Sequence, residues 1–481
     1  MDFTSTTYIL FVTATVLAFN AWRLPVFRQC VLLVANLVFL ASFVQSPLQL
    51  APLAAFLALG YAATRWVARW PRPWLLGLSV AAIVVVFVVL KRYTFLPAGI
   101  DLPFLYLQIG LSYILFRILQ MVIDSAGGEK EARLDPLNFF NFACNFLCFV
   151  SGPIQRSNEY LADLGQLDRK VDETVAFKAL HRIIKGFIKL AVVSAIANYL
   201  FANFSAALLA ETTPLVGWHY VLQYAASAVT YTFYLYYNFS GYMDIVIGIG
   251  WLLGQNLPEN FDRPFSARNI FEFWSRWHMT LSEWFKTYVF NPLMKFLADH
   301  VTAVGWLPYL GVVAFFVTFF VMGVWHGSTG VFVIYGLVMG AGASLNKLWQ
   351  VVMSKRLGKK RYKAVGESFA YASLVRGLLF AFFALAVTGL WVNMDQLTLL
   401  ARRLGVAGLA LALLGTALCA AVGGVFVDHA GRILAGLAPR LDRPGVAGVM
   451  TRNLVLASEV LLIFAVGSFF HKAPEFVYKA F

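Results

Sequence analysis

Long stretches of this chain carry almost no charge, and that restricts its possible folds more than any other property. A helix needs about 20 mostly apolar residues to cross the hydrocarbon layer of a bilayer. Runs of this character recur from end to end: Tyr8–Trp22, Val31–Phe43, Leu75–Leu90, Leu310–Trp325, Ala370–Trp391, Leu404–Val427 and Leu454–Phe470. Hydrocarbon offers no hydrogen-bond partners, so each run must satisfy its own backbone N–H and C=O groups, and a helix does that within one segment. The expected class is an all-α polytopic membrane protein with about 11–13 helices. Charged residues are 13% of the 481, about half the roughly 25% usual in soluble domains. A soluble core of this size would not hold so many uninterrupted apolar windows.

Met1–Thr7 lacks the basic region of a signal peptide, and no small-residue cleavage site follows Tyr8–Trp22. That run reads as a first span. The four cysteines, Cys30, Cys144, Cys148 and Cys419, form neither a disulfide framework nor a zinc spacing. Cys144 and Cys148 are expected to share a helix face as packing residues. No metal site and no bound cofactor are expected. The formal charge of +14 is read as topology, because cytoplasmic loops are enriched in Lys and Arg. The densest cluster, Lys355, Arg356, Lys359, Lys360, Arg361 and Lys363, is placed in the cytoplasm. Nucleic acid is not an expected partner; membrane lipid is.

The chain reads as one integral membrane domain over 1–481, with N-terminal spans in 1–125, a core in 126–345 and C-terminal spans in 346–481. Arg23, Arg28, Arg65, Arg69 and Arg72 would face the cytoplasm and the uncharged Ser46–Leu50 turn the other side, which puts the N-terminus outside. Lys91 and Arg92 break that pattern. Asn138–Val150, stopped by Ser151-Gly152-Pro153, is expected as a re-entrant or tightly packed helix. Asp163–Arg182 is expected as a polar cytoplasmic loop with helix, and Leu215–Leu253 as one or two crossings. Gly254–Leu297 is polar, aromatic and interrupted by Pro258, Pro264 and Pro292, too hydrophilic for a lipid-facing span.

Within that segment lies Glu272–Tyr288, EFWSRWHMTLSEWFKTY. On one continuous helix, Trp277, Leu281, Trp284 and Tyr288 form an aromatic stripe. Glu272, Arg276, Thr280, Glu283 and Thr287 form a polar one, with Glu272 placed to pair with Arg276. His278 shares a face with Trp274 and Ser282 between the stripes. An interfacial helix with a hydrogen-bonded packing histidine fits this spacing, and so does a wall of a wet cavity.

Val324-Trp325-His326-Gly327 joins two apolar runs. An imidazole in an apolar setting is costly, so it is a functional-site hypothesis. Burial favours the neutral ring, whose lone pair can take a proton from a hydroxyl. The same residues fit a structural histidine bonded to a carbonyl at a helix kink. Gly323 and Gly327 leave room for a substrate or a neighbouring helix to approach the ring. Asn238, Ser240 and Asp244 lie in YLYYNFSGYMDIVIGIG. Asp244 needs a basic partner or a wet cavity, and Arg117 with Asp124 make a similar case. His181 and His300 read as loop residues, and His219, His429 and His471 as residues near span ends.

The run YNFSGYMDIVIGIGWLLGQNLPENFDRPFSARNIFEFWSRWHMTLSEWFKTYVFNPL resembles the signature of the membrane-bound O-acyltransferase superfamily, and MGVWHGSTGVFVIYGLVMG resembles its second, histidine-bearing signature. IGLSYILFRILQMVID, CFVSGPIQR and the terminal FFHKAPEFVYKAF add to the likeness, which is closest to the bacterial alginate and peptidoglycan O-acetylase-like branch. FWSRWHMTLSEWF also resembles the D-alanine transfer branch. The resemblance implies a ring of tilted helices around a central tunnel, with re-entrant or interfacial helices. It implies His326 and His278 as catalytic residues, and Trp325, Trp274, Arg276, Trp277, Ser282, Asn238 and Asp244 as substrate contacts. It further implies an acyl thioester donor such as acetyl-CoA, a polysaccharide acceptor, an extracytoplasmic SGNH or esterase-like acetyltransferase partner, and the bacterial inner membrane. D-alanyl transfer, a transporter and a non-catalytic scaffold subunit are the rival readings.

Overall fold

The computed structural model describes residues 1–470 except 2, 4, 95, 96, 98, 100, 101, 103, 129–133, 211–214 and 442–445; the side chains of 431–441, 446–453 and 469–470 are also outside the description. The C-terminal segment 471–481, with His471, lies outside the described residues. Among the described residues the regular elements are helices, apart from one isolated antiparallel bridge between Phe261 and Trp277.

The helices run in order: α1 Thr6–Ala21, α2 Pro25–Ala41, α3 Ala51–Arg69, α4 Pro73–Lys91, α5 Leu111–Ala126, α6 Pro136–Ala143, α7 Ser157–Leu164 and α8 Glu173–Phe187. Then follow α9 Ser194–Leu209, α10 Gly217–Leu252, α11 Ile270–Trp274, α12 Met279–Phe285, α13 Asn291–His300 and α14 Leu310–Trp325. The last are α15 Gly330–Leu357, α16 Lys359–Glu367, α17 Phe369–Ala386, α18 Met394–Leu441 and α19 Val446–Phe470. Many starts are written locally. Proline occupies the first turn of α2, α3, α4, α6 and α13, where its missing N–H costs no hydrogen bond. Ser5 caps α1 by accepting from Tyr8 N–H at 3.1 Å, and Asp135 caps α6 through Leu137 and Asn138.

Seven helical stretches among the described residues are long and apolar enough to cross a membrane: Pro47–Arg69, Pro73–Lys91, Glu173–Leu209, Val304–Trp325, Gly330–Leu357, Phe369–Leu390 and Met394–Ala430. Shorter apolar helices are Thr6–Ala21, Pro25–Ala41 and Leu454–Ser468. The chain is an all-α, multi-pass membrane protein.

Two compact units emerge. The first holds Met1–Phe187 and Gly241–Glu259; the second holds Ile188–Ser240 and the described chain from Asn260 onward. In the first, α5 packs on α3 and α4. Gly60 of α3 meets Ile118 so closely that a Cβ would lie 2.6 Å from its side chain. Two buried arginines bind carbonyls here. Arg117 donates to Phe142, Ala143 and Cys148 oxygens at 3.1, 2.9 and 2.8 Å, satisfying acceptors left over where α6 ends. Arg28 bonds the carbonyls of Phe19, Trp22, Leu167 and Arg169. In the second unit, α14 packs along α15, and α17 along α18.

Some local expectations are corrected and others are narrowed. Asn138–Val150 is not one helix: α6 stops at Ala143 and turns follow. Cys144 and Cys148 are both buried but do not share a helix face. Asp163–Arg182 does mix loop and helix as expected: the end of α7, a turn-rich stretch and the start of α8. His181 therefore sits within α8, not in a loop. Leu215–Leu253 is essentially the single 36-residue α10. Leu404–Val427 lies inside α18, which breaks at Gly405, whose φ of 58° a side chain rarely adopts. The largest correction is Glu272–Tyr288, which is two short helices and a left-handed turn.

Candidate functional site

His278 occupies that turn. Asn269 starts α11 by accepting from Phe271 and Glu272 N–H, both at 3.0 Å. The helix ends after five residues. Ser275 Oγ donates to the Glu272 carbonyl at 2.7 Å, the local competition with the backbone that disfavours serine inside helices. The chain then reverses at His278, with φ 45° and ψ 51°. That conformation is uncommon for any residue but glycine and persists where surroundings enforce it. The His278 carbonyl accepts Ser282 N–H at 3.0 Å and opens α12.

The enforcing element is the extended stretch Asn260–Asp262. It runs antiparallel to Arg276–Met279 through the Phe261–Trp277 bridge. Asp262 N–H donates to the Arg276 carbonyl at 2.9 Å, and Met279 N–H to the Asn260 carbonyl at 3.0 Å. The Asn260 side chain completes the grip. Its Oδ1 accepts from Thr280 N–H and Thr280 Oγ, each at 3.0 Å, and lies 3.3 Å from His278 Nδ1. Phe239 of α10 abuts the imidazole in a T-shaped contact with centroids 4.9 Å apart. His278 and Asn260 are essentially inaccessible. His278 lies outside the membrane-crossing helices. Burial pushes its imidazole well below the ordinary 6.5, and His326 lowers it further. The two imidazoles are thus electrostatic neighbours within one unit.

His326 ends α14 and is also buried. Its N–H donates to the Gly323 carbonyl at 3.2 Å. Its ring lies 4.9 Å from Trp325 and 5.7 Å from Tyr335 of α15, the latter edge-on at 74°. The small residues on either side of it bring α14 and α15 together. A Cβ on Gly323 would lie 2.2 Å from Gly336 Cα, one on Gly336 2.6 Å from the Phe320 carbonyl, and one on Gly340 2.9 Å from the Phe316 carbonyl. Close backbone approach along small residues holds membrane helices together, and here it fixes the helix end that carries His326.

The other expected site residues divide. Asn238 is fully buried beside Phe239 on α10. Trp277 packs against Phe261, Phe273 and Phe383 at 5.2, 5.7 and 4.8 Å. Trp274 packs against Phe319 at 5.2 Å. Arg276 pairs with Glu272 at 2.9 Å, as the spacing implied, and with Asp262 at 3.7 Å. Ser282 Oγ donates to the Trp277 carbonyl at 3.3 Å, and its face is not shared with Trp274 because the helix breaks. Asp244, in the first unit, has the basic partner its setting required: Arg182 at 3.1 Å, which also forks onto Glu259. Asn260 and Tyr335 were not singled out from sequence. Asparagine is ordinary in a polar loop and tyrosine in a span, so neither carries a signal by spacing.

Residues 126–364 match the membrane-bound O-acyltransferase family. The chain belongs to that family. Both histidines, Asn260 and Tyr335 fall within the matched region. Among its relatives, a teichoic acid D-alanyltransferase of Bacillus subtilis is 31% identical over 48% of this chain and 56% of its own length. One from Streptococcus thermophilus is 32% identical over 53% of this chain and 60% of its own. A probable alginate O-acetylase of Pseudomonas aeruginosa is 27% identical over 69% of this chain and 63% of its own. The chain thus spans less than two thirds of the length of each of these relatives.

Proposed function

We propose that this O-acyltransferase family member takes an acyl group, acetyl in the first instance, from a cytoplasmic thioester and relays it across the bacterial inner membrane for O-acetylation of an extracytoplasmic polysaccharide. The observation that carries the reading is the pair of buried imidazoles, His278 and His326, within one compact unit and inside the family-matched region. A neutral His326 removes the proton of an acceptor hydroxyl. The oxygen then attacks the thioester carbonyl, the C–S bond breaks, and the departing thiolate takes up the proton as free thiol. Alternatively His326 carries the acyl group transiently before passing it on. His278 positions the acceptor or polarises the carbonyl. Acetyl-CoA is the proposed donor, and basic cytoplasmic side chains hold its phosphates. An SGNH or esterase-like extracytoplasmic partner completes transfer to the glycan.

His326→Ala is expected to abolish O-acylation of cell-envelope polymer while the protein still reaches the membrane at normal level. Full acylation with that variant overturns the reading. His278→Ala is expected to lower the activity by about a hundredfold or more, the usual scale for a positioned acid or base.

D-alanyl transfer is the second reading, favoured by the D-alanyltransferase relatives at 31% and 32% identity. The wider coverage of this chain by the probable alginate O-acetylase, 69%, supports the acetyl reading. Mild alkaline hydrolysis of modified polymer separates them by releasing acetate or D-alanine.

A further inference from the structure

The hairpin of α1 and α2 leaves an open apolar groove of about 490 Å³ between its helices. The buried Thr15 and Ala35 form its floor, and the exposed Ala14 and Ala18 keep the α1 wall low. Thr15 carries the one hydroxyl of the lining, and its Oγ1 already donates to the Phe11 carbonyl at 2.8 Å. The groove therefore offers an occupant hydrocarbon contact and no hydrogen bond. Along α2 it runs from Phe27 to Val38, about 16 Å at the helical rise. That is the depth of one leaflet, half of the roughly 30 Å hydrocarbon core. The Phe27 end adjoins the turn that joins the two helices. There Trp22 is exposed, with its ring 4.9 Å from that of Phe27. Tryptophan in such a place marks the headgroup level. The next residue of the turn, Arg23, is an exposed cation.

We propose that this groove holds one acyl chain of an anionic glycerophospholipid, whose phosphate rests against Arg23. Such a lipid matches the groove at both ends: its charge lies at the turn and its chain ends near the bilayer midplane. A transmembrane helix of a second copy does not match, because it would continue into the other leaflet, where the groove stops. Ten residues line the groove, against the roughly 20–30 per side of a stable protein interface. Within a bilayer no hydrophobic driving force favours this chain over its neighbours. Retention comes from van der Waals packing of the chain on the floor and both walls, and from the attraction of Arg23 for the phosphate. The site is independent of the acyl-transfer reading.

Photo-crosslinking tests it. The full chain is placed in phosphatidylcholine nanodiscs with a trace of phosphatidylglycerol carrying a diazirine on one acyl chain, and the label is mapped by peptide after illumination. Label concentrated on residues 14–18 and 30–38 is expected. Unlabelled phosphatidylglycerol is expected to compete about fivefold better than unlabelled phosphatidylcholine, the scale of one basic residue at an anionic surface. Arg23→Gln is expected to remove that preference. Val34→Trp, at an exposed lining position, fills the groove and is expected to remove the concentrated label. Label spread over the apolar helices in proportion to their exposure overturns the proposal, and so does equal competition by the two lipids on the native chain. Cys30 also lines the groove and is exposed. Disulfide-linked dimers that form under mild oxidation and vanish in Cys30→Ser would seat a second copy there and overturn it as well. If either variant fails to insert, the label map and the competition on the native chain still decide.

Discussion

Arg182 lies between two carboxylates and over the Trp251 ring, 4.9 Å from its centroid. Its Nε donates to Asp244 at 3.1 Å, and its two terminal nitrogens donate to Glu259 at 2.6 Å each. The side chains of Arg182 and Asp244 are each 16% exposed, whereas that of Glu259 is 54% exposed. Burial decides how much each partner matters. Solvated pairs contribute about 0–1 kcal/mol, while hydrogen bonds from charged groups that have lost solvent contribute about 1.5–3 kcal/mol. Arg182→Met is therefore expected to destabilise the detergent-solubilised protein by about 2 kcal/mol, and Glu259→Gln by less than about 1 kcal/mol. Arg182→Met combined with Asp244→Leu is expected to recover part of the loss, because no carboxylate is then left without its cation. Thermal unfolding followed by gel filtration reads all three. Equal losses for Arg182→Met and Glu259→Gln would contradict this ranking. From sequence, Asp244 called for either a cation or a wet cavity, and the structure supplies the cation. Which cation it is was not legible, because Arg182 is 62 residues away.

The α14–α15 hairpin is the element that carries His326. Gly323, Gly336 and Gly340 meet backbone of the opposite helix, whereas a Cβ on Gly311 would meet only the end of the flexible Lys347 side chain, at 2.9 Å. Backbone cannot yield as a lysine can. Gly323→Ala is expected to destabilise the hairpin by about 1–3 kcal/mol through overpacking and to lower acyl transfer with it, because His326 follows three residues later. Gly311→Ala is expected within about 0.5 kcal/mol of the native chain. Apparent melting temperatures and thiol release from acetyl-CoA measured on the same preparations check both. A Gly323→Ala protein with native stability and rate would show that this contact does not hold the helix end in place. From sequence, the glycines promised room for a substrate or a helix; the structure gives that room to the helix.

Across the whole chain, the basic groups fix an expected orientation. Lys355, Arg356, Lys359, Lys360, Arg361 and Lys363 are exposed at the end of α15 and on α16, next to the long apolar helices α15 and α17. Such clusters stay on the cytoplasmic side. Lys360→Cys is expected to react with a membrane-impermeant maleimide in inverted vesicles and not in intact cells, measured against the native chain as background. Labelling in intact cells would reverse the assigned orientation. The class of the molecule was readable at this scale because apolar composition is additive along a segment and needs no knowledge of neighbours. The helix interruptions were less readable. Periodicity favoured one helix over Glu272–Tyr288, and only pairing with Asn260–Asp262 explains the reversal at His278.

Sequence alone determined that this chain spans a membrane many times, that its paired motifs resemble one acyltransferase superfamily, and that His278 and His326 are the imidazoles to watch. These follow from local composition and short contiguous patterns, which the chain carries whatever its fold. Tertiary structure decided that the two imidazoles are electrostatic neighbours in one unit. It also decided that a glycine seam positions His326, and that an asparagine 18 residues before His278 in sequence faces its Nδ1. Those facts depend on which backbones approach one another, and neither helical period nor hydropathy encodes that.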